Sequence, residues 1–81
     1  MDRARIHDLI DTERLRQDKK WGTHQDHNLP EWGTILGEEY GEACTEINRV
    51  HFGFKDTENL IAELVQVAAV CTAILEGLDE L

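Results

Sequence analysis

The sequence predicts an all-α protein, an antiparallel bundle of about three helices per chain completed by homo-oligomerisation. Apolar residues recur at helical spacing in three stretches, and no stretch has the sustained period-two alternation of a β-strand. The 81 residues form a single helical domain, residues 1–81, with a core too thin to be very stable alone. Two cysteines are too few for a disulfide scaffold, so we expect partner chains to supply the missing core.

The first helix is expected over residues 3–20. Its apolar side chains are one-sided among many charges, which is typical of an amphipathic helix: Ile6, Leu9, Ile10 and Leu15. Gly22 is a suitable stop because glycine readily adopts the backbone conformation that ends a helix. Residues 21–30 lack any periodicity and contain Gly, Asn, Pro and two His, which predicts a loop.

The second helix is expected from Pro30 to about His51, with Asn28 as its N-cap. On a helical wheel of about 100° per residue, several of its carboxylates share a face with the apolar residues. These are Glu39, Glu42 and Glu46. A solvated acidic helix would direct its carboxylates to the opposite side. The pattern therefore predicts acids facing the interior. Glu46 is expected either beside the metal ligands or, as the favoured alternative, at the edge of an interface.

The third helix is expected from Asp56, its cap, to about Leu78. It is apolar nearly all round, which predicts that it is buried. Glu63 and Gln66 are the only polar residues in its central part, and their spacing of three places them on one face. A second pair of oxygen-bearing side chains is thus predicted to face the interior.

Several buried carboxylates require compensation. Burying one isolated ionised carboxylate costs several kcal/mol even after relaxation, and the chain has 8 Lys and Arg against 17 Asp and Glu. A divalent cation resolves this conflict, and carboxylate oxygens suit Mg²⁺, with Mn²⁺ as a possible substitute. No Glu has a His three residues later, which argues against a di-iron site. Facing pairs on two helices predict a magnesium site.

The spacing of these acids resembles a known family signature. Glu38-Glu39-Tyr40-Gly41-Glu42, followed after twenty residues by Glu63-Leu64-Val65-Gln66, is similar to the EExxE…ExxD motif of the MazG-like all-α nucleoside triphosphate pyrophosphohydrolases. Trp21-Gly22 and Trp32-x-x-Ile35-Leu36 look like short, phage-type members. The resemblance extends from about Trp21 to Ile74. It implies Mg²⁺-dependent hydrolysis of a nucleoside or deoxynucleoside triphosphate to the monophosphate and pyrophosphate.

The resemblance also implies roles for individual residues. Glu39, Glu42 and Glu63 match the metal-binding positions, and Glu38 matches a candidate for activating the attacking water. Gln66 stands where the family has Asp; its amide oxygen can still coordinate Mg²⁺ but brings no charge, so a second ion would be held more weakly. Family members assemble as homodimers or dimers of dimers, which agrees with the thin core.

Substrate contacts are expected outside the acidic cluster. A base could stack on a tryptophan of the 21–32 loop and be hydrogen-bonded by nearby polar groups; the candidates are Trp21, Gln25, His27 and Trp32. Arg49 and Lys55 could meet the phosphates, with Lys19 and Lys20 as weaker candidates. Trp32 lies on the apolar stripe and can equally be a core residue. A zinc pair of His24 and His27 lacks a visible second pair of ligands.

The overall charge limits the partners. A formal net charge of −9 argues against binding nucleic acid, and no apolar run is judged long enough to cross a membrane. The N-terminal residues lack the apolar segment of a signal peptide, so a cytoplasmic location is expected. The alternative function is a non-catalytic helical module whose acidic face docks a basic partner.

Overall fold

A computed structural model describes residues 1–22, 26–53 and 56–80. These residues form three α-helices and a short 3-10 helix, and none of them lies in a strand: α1 Arg3–Trp21, α2 Leu29–His51, α3 Glu58–Gly77, and the 3-10 helix Leu78–Glu80. The predicted all-helical class is therefore confirmed. The antiparallel arrangement and completion of the bundle by further copies stay predictions.

The helix ends follow local chemistry. Asn28 caps α2 in a capping box, because its side chain accepts from the Glu31 N–H while the Glu31 carboxylate accepts from the Asn28 N–H. Gly22 ends α1 with a positive φ of 88°, as glycine allows. The predicted cap of α3 is shifted by one residue: Thr57 is the N-cap, and the Asp56 carboxylate accepts from the Glu58 N–H at 3.1 Å.

Helix α3 is the centre of the fold. It packs against both α1 and α2, whereas the described parts of α1 and α2 do not pack closely on each other. The buried apolar core is small: Ala43, Ala69, Val70 and Ala73. Three of these four residues belong to α3. This arrangement sets one face of α3 against α1 and another against α2.

The buried face of α1 differs from the predicted one. Leu15, placed on the apolar stripe by the sequence, is 70% exposed, whereas Arg14 and Gln17 are only 8% and 6% exposed. The reason is helical spacing, because steps of three and four residues from Ile10 lead to Arg14 and Gln17 and pass Leu15 by. The second half of α1 therefore contacts the rest of the molecule through polar side chains.

The prediction that α3 is buried all round is wrong for the single chain. Leu64 is 47% exposed and Leu75 is 65% exposed. Within the described residues, two neighbouring α-helices cover a helix that is apolar nearly all round. A substantial apolar surface of α3 is therefore left uncovered by the described part of its own chain.

The expectation that no segment could cross a membrane also needs correction. Helix α3 is long and apolar enough to cross a membrane by length and composition alone, since it has 20 residues and a mean hydropathy of 1.7 over an 18-residue window. The core helices of soluble proteins pass the same test, and α3 carries the carboxylate of Glu63 at its centre. The result is weak evidence about location.

Arg14 ties α1 to the end of α3. Its guanidinium donates to Glu76 of α3 at 3.0 Å, to Gln17 Oε1 at 2.8 Å and to Asp18 at 2.9 Å. Because a guanidinium has donors in a fixed planar arrangement, it satisfies three acceptors at once. Arg14 therefore serves as a polar tie in a region with few apolar contacts.

Replacing Arg14 should destabilise the fold clearly. We expect Arg14→Ala to lower the free energy of unfolding by about 2 kcal/mol, because it leaves a buried amide and two carboxylates without their shared donor. Urea unfolding followed by circular dichroism measures the change. Arg16→Ala, which removes an ion pair between the half-exposed Arg16 and Glu13 and a cation–π contact with Trp21, should have a smaller effect. Equal losses in the two variants would contradict this role of Arg14.

Candidate metal centre and adjoining cavity

Three carboxylates converge between α2 and α3. Glu39 and Glu42 lie one turn apart on α2, and Glu63 faces them from α3. One carboxylate oxygen from each lies within 4.8 Å of the other two. Hard divalent cations take oxygen ligands at about 2.0–2.6 Å, so oxygens spaced in this way can surround one ion after small side-chain adjustments. The cluster that the sequence predicted does form.

Two oxygens of the cluster are buried without a donor. The Oε2 atoms of Glu39 and Glu63 are buried and have no hydrogen-bond partner within the described part of the chain. Buried oxygens are ordinarily paired with donors, because burial removes the hydrogen bonds to water and an unpaired oxygen gains no hydrogen bond in return. Two unpaired acceptors on facing helices favour a bound cation at this position.

Like charges strain the cluster. Burial raises the pKa of Glu39, and the negative charges of Glu42, Glu13 and Glu38 raise it further. Burial also raises the pKa of Glu63, followed by the hydrogen bond and charge of Glu42. At both positions the ionised carboxylate is therefore less favourable than it is in water.

Not every predicted ligand lies in a dry interior. Glu42 is exposed and Glu39 and Glu63 are half-buried, so the cluster opens to solvent on one side. Glu38 is exposed, next to Glu39 on α2. Gln66, one turn after Glu63, is half-buried and lines a cavity together with Glu39. An open side is what a site for a large polyphosphate requires.

Glu46 lies nearer to this cluster than its expected place at an interface edge. Its Oε2 atom is buried without a partner in the described residues, and its charge contributes to the raised pKa of Glu63. Its other oxygen accepts from Arg49 at 3.4 Å. Arg49, a predicted phosphate contact, is therefore engaged with Glu46. Lys55, the other predicted phosphate contact, lies outside the described residues.

A cavity of about 520 Å³ adjoins the cluster. Glu39 and Gln66 form the wall nearest the carboxylates, and the aromatic rings of Trp21, Trp32 and His27 also line the cavity. Glu39 thus belongs both to the carboxylate cluster and to the cavity. A ligand in the cavity can place one end beside the acids and the other against the aromatic rings.

The predicted substrate contacts are partly brought together. Trp32 is half-buried and packs edge-to-face on His27, with ring centroids 4.9 Å apart. Trp21 is exposed, with the Lys20 ammonium 4.7 Å from its ring centroid. Gln25 lies outside the described residues, as does His24, so the proposed zinc pair is not described either. Trp32 packs against His27 and lines the cavity, and both of its expected roles stay predictions.

Sequence reasoning missed residues of α1 and of the loop. Gln17 and Asp26 also line the cavity, and the charge of Glu13 acts on Glu39. The available signal was the helical spacing from Ile10 through Glu13 to Gln17, which places these residues on one face of α1. Because Glu13 and Gln17 are polar, the apolar pattern of the sequence did not indicate that this face of α1 is turned inward.

Comparisons with protein-family models, curated proteins and solved structures find no match. The resemblance to MazG-like enzymes therefore stays a prediction. The features of the structure that bear on function are the carboxylate cluster and the cavity beside it.

The strained acids predict an unusual pH dependence for the metal-free protein. Because the folded-state pKa of Glu39 and of Glu63 is raised above its unfolded value, their contribution to stability is complete below the ordinary glutamate range. It is lost as the pH rises through the raised pKa values. Without divalent ions, Glu39→Gln and Glu63→Gln should each raise the thermal unfolding midpoint at neutral pH, and the gain should shrink in acid.

Asp11→Asn is the matched control, because it makes the same change of charge at an exposed position on α1. Differential scanning calorimetry in EDTA at several pH values compares the three variants. The account predicts little change for Asp11→Asn at any pH. Destabilisation by both glutamine variants at neutral pH would contradict the electrostatic account.

Proposed function

We propose that the protein is a Mg²⁺-dependent nucleoside triphosphate pyrophosphohydrolase that releases the monophosphate and pyrophosphate. The observation that carries the proposal is the convergence of Glu39, Glu42 and Glu63 beside an aromatic cavity. The acids are suited to a cation that binds phosphates, and the cavity is suited to a flat heterocycle. The resemblance of the EExxE and ExxQ segments to MazG-like enzymes points to the same reaction class.

The donor set suits magnesium. Glu39, Glu42 and Glu63 would hold the ion, and the amide oxygen of Gln66 would be an additional neutral ligand. Mn²⁺ would substitute, since it prefers the same ligands. The buried, unpaired oxygens of Glu39 and Glu63 support this fit, because a cation would remove both the repulsion and the unmet acceptor capacity. When bound, Mg²⁺ supplies positive charge that offsets the charge developing on the phosphates.

Glu38 is the proposed general base. Its exposed carboxylate, next to Glu39, accepts a proton from a water molecule. The water oxygen forms a bond to the α-phosphorus, and the bond from that phosphorus to the oxygen bridging the β-phosphorus breaks. Pyrophosphate leaves with the electron pair of the broken bond. One water is consumed, so the balance is triphosphate plus water giving monophosphate plus pyrophosphate.

The base would occupy the cavity. Trp21 and Trp32 offer aromatic faces or edges, and His27 offers hydrogen-bonding groups. Gln25, which lies outside the described residues, is a further candidate from the sequence. Arg49 and Lys55 are proposed to reach the phosphates; for Arg49 this requires release from Glu46, and the triphosphate would compete for its guanidinium. The proposed enzyme is cytoplasmic and binds neither nucleic acid nor membranes.

The fold would be completed by other copies of the chain, as a homodimer or a dimer of dimers. Between α1 and α3 lies an apolar groove of about 210 Å³, and a cluster of aliphatic side chains lines it: Met1, Ile6, Leu9, Ile10, Ile61, Leu64, Val65 and Ala68. Contiguous exposed apolar surface typically marks an interaction site. The small buried core supports covering this groove with a second copy.

Pyrophosphate release is the direct test of function. With Mg²⁺ present, the protein should release pyrophosphate from at least one of the common nucleoside or deoxynucleoside triphosphates, and EDTA should abolish the release. Glu39→Gln and Glu63→Gln should each reduce kcat by at least about 100-fold, because each removes a metal ligand. Asp11→Asn should retain wild-type activity. Activity that persists in EDTA or in both glutamine variants would contradict the proposed site.

Thermal unfolding separates the enzyme from a non-catalytic acidic docking module. Mg²⁺ at about 100 times its Kd should stabilise the wild type by about 2.7 kcal/mol through mass action, and should not stabilise Glu63→Gln comparably. An acidic docking face would respond to ionic strength alone. NaCl of matched ionic strength is therefore the control, and equal responses to the two salts would favour the docking module.

The solution mass tests the proposed interface. We expect at least twice the 9.3 kDa of one chain by light scattering coupled to gel filtration. Leu64→Lys should shift the mass towards the monomer, because it places a charge in the apolar groove. Leu15→Lys is the control, since Leu15 is exposed outside the groove. A monomeric wild type, or dissociation by Leu15→Lys alone, would argue against this interface.

A further inference from the structure

The side-chain amide of Gln17 has a fixed orientation in the wall of the cavity. Its Oε1 accepts from Arg14 Nη1 at 2.8 Å, and its Nε2 donates to Glu13 Oε2 at 3.3 Å. Arginine has no acceptor and an ionised carboxylate has no donor, so the reversed orientation of the amide would lose both bonds. The two neighbours therefore fix the amide orientation, with Oε1 towards Arg14 and Nε2 towards Glu13.

Both neighbours are themselves held in place. Arg14 also donates to Asp18 and Glu76, so it cannot turn without losing ion pairs on both sides. Glu13 accepts two hydrogen bonds from Arg16, at 2.8 and 2.7 Å, and this pairing lowers the pKa of its carboxyl group. Glu13 is thus an ionised acceptor at neutral pH. Gln17 lies in a polar network that is built to hold it.

One donor of Gln17 remains for a ligand. The amide nitrogen carries two N–H groups, and within the described residues Glu13 accepts from one of them. Gln17 is only 6% exposed, yet it lines the cavity together with Trp21, Trp32 and Glu39. The remaining N–H is therefore a recessed donor in the wall of a cavity that also contains both indole rings, at the side where the proposed function puts the base.

We propose that Gln17 is a specificity-determining residue that donates a hydrogen bond to an exocyclic oxygen of the ligand base. This inference rests on the proposed function for the identity of the ligand as a nucleotide. An exocyclic carbonyl oxygen projects from the ring by about 1.2 Å and can reach a recessed donor. An exocyclic amino group at the same position would direct hydrogen atoms at the N–H. The substrate class is therefore oxo bases in preference to their amino analogues.

Inosine and adenosine form the pair of probes. They differ at the exocyclic position, an oxygen in inosine and an amino group in adenosine, and therefore also at the adjacent ring nitrogen, which carries a hydrogen only in inosine. Each is titrated without Mg²⁺ into ¹⁵N-labelled protein, and the Gln17 side-chain amide and the two indole N–H signals are followed by NMR. Both tryptophans of the chain line the cavity, so their indole signals report occupancy. We expect inosine to bind at least about tenfold more tightly and to shift the Gln17 signal.

Gln17→Glu distinguishes ligand recognition from a structural role. A glutamate keeps the acceptor that Arg14 requires but replaces the amide nitrogen by an oxygen, so both the donor to the ligand and the hydrogen bond to Glu13 are lost. The preference for inosine should then disappear. Gln17→Met removes both groups and should bring the two affinities to within about twofold of each other. Circular dichroism verifies folding of each variant. If Gln17→Glu does not fold, the wild-type titration alone decides.

Equal affinities for inosine and adenosine in the wild type would overturn the proposal, and so would no binding of either. An unchanged preference in folded Gln17→Glu would overturn it as well. These outcomes are separate from the hydrolysis assay, because the nucleosides have no phosphates and the titration contains no metal. A preference for inosine without pyrophosphate release would contradict the proposed enzyme and support base recognition by Gln17. Pyrophosphate release with equal affinities for the two nucleosides would support the enzyme and contradict base recognition by Gln17.

Discussion

The interface between α2 and α3 is governed by the cost of placing carboxylates of like charge together away from water. Glu39 and Glu63 face each other with buried oxygens that no donor satisfies within the described residues, and Glu42 adds a third charge. A chain selected only for stability would replace such a cluster with apolar residues, which pack well and need no compensation. Its presence at the centre of a small fold is the reason to assign it a functional role.

The rest of the molecule is arranged around this cluster. Helix α3 supplies Glu63 on the side that meets α2, and its end is tied to α1 through Glu76 and Arg14. The same arginine holds Gln17 in the cavity wall. The polar network of α1 therefore connects the end of the central helix with the place proposed for the base. In the proposed enzyme, binding energy gained there would position the phosphates beside the acids.

The sequence was sufficient for the helices and for the carboxylate cluster, because helical periodicity alone decides which residues share a face. Glu39 and Glu63 could be found in this way. Gln17 could not, since its burial depends on how α1 docks against α3, and the apolar pattern suggested Leu15 instead. The exposure of Leu64 also escaped prediction, because periodicity predicts that a face is covered but not whether the cover comes from the same chain.

The central claim is that the three facing glutamates hold one divalent ion. A crystal structure of the protein grown with Mn²⁺ and a non-hydrolysable triphosphate analogue tests it most directly, since Mn²⁺ gives an anomalous signal. The account predicts an anomalous peak bonded to oxygens of Glu39, Glu42 and Glu63, with the analogue's phosphates on the same ion. A peak elsewhere, or carboxylates turned apart into solvent with no ion between them, would contradict it.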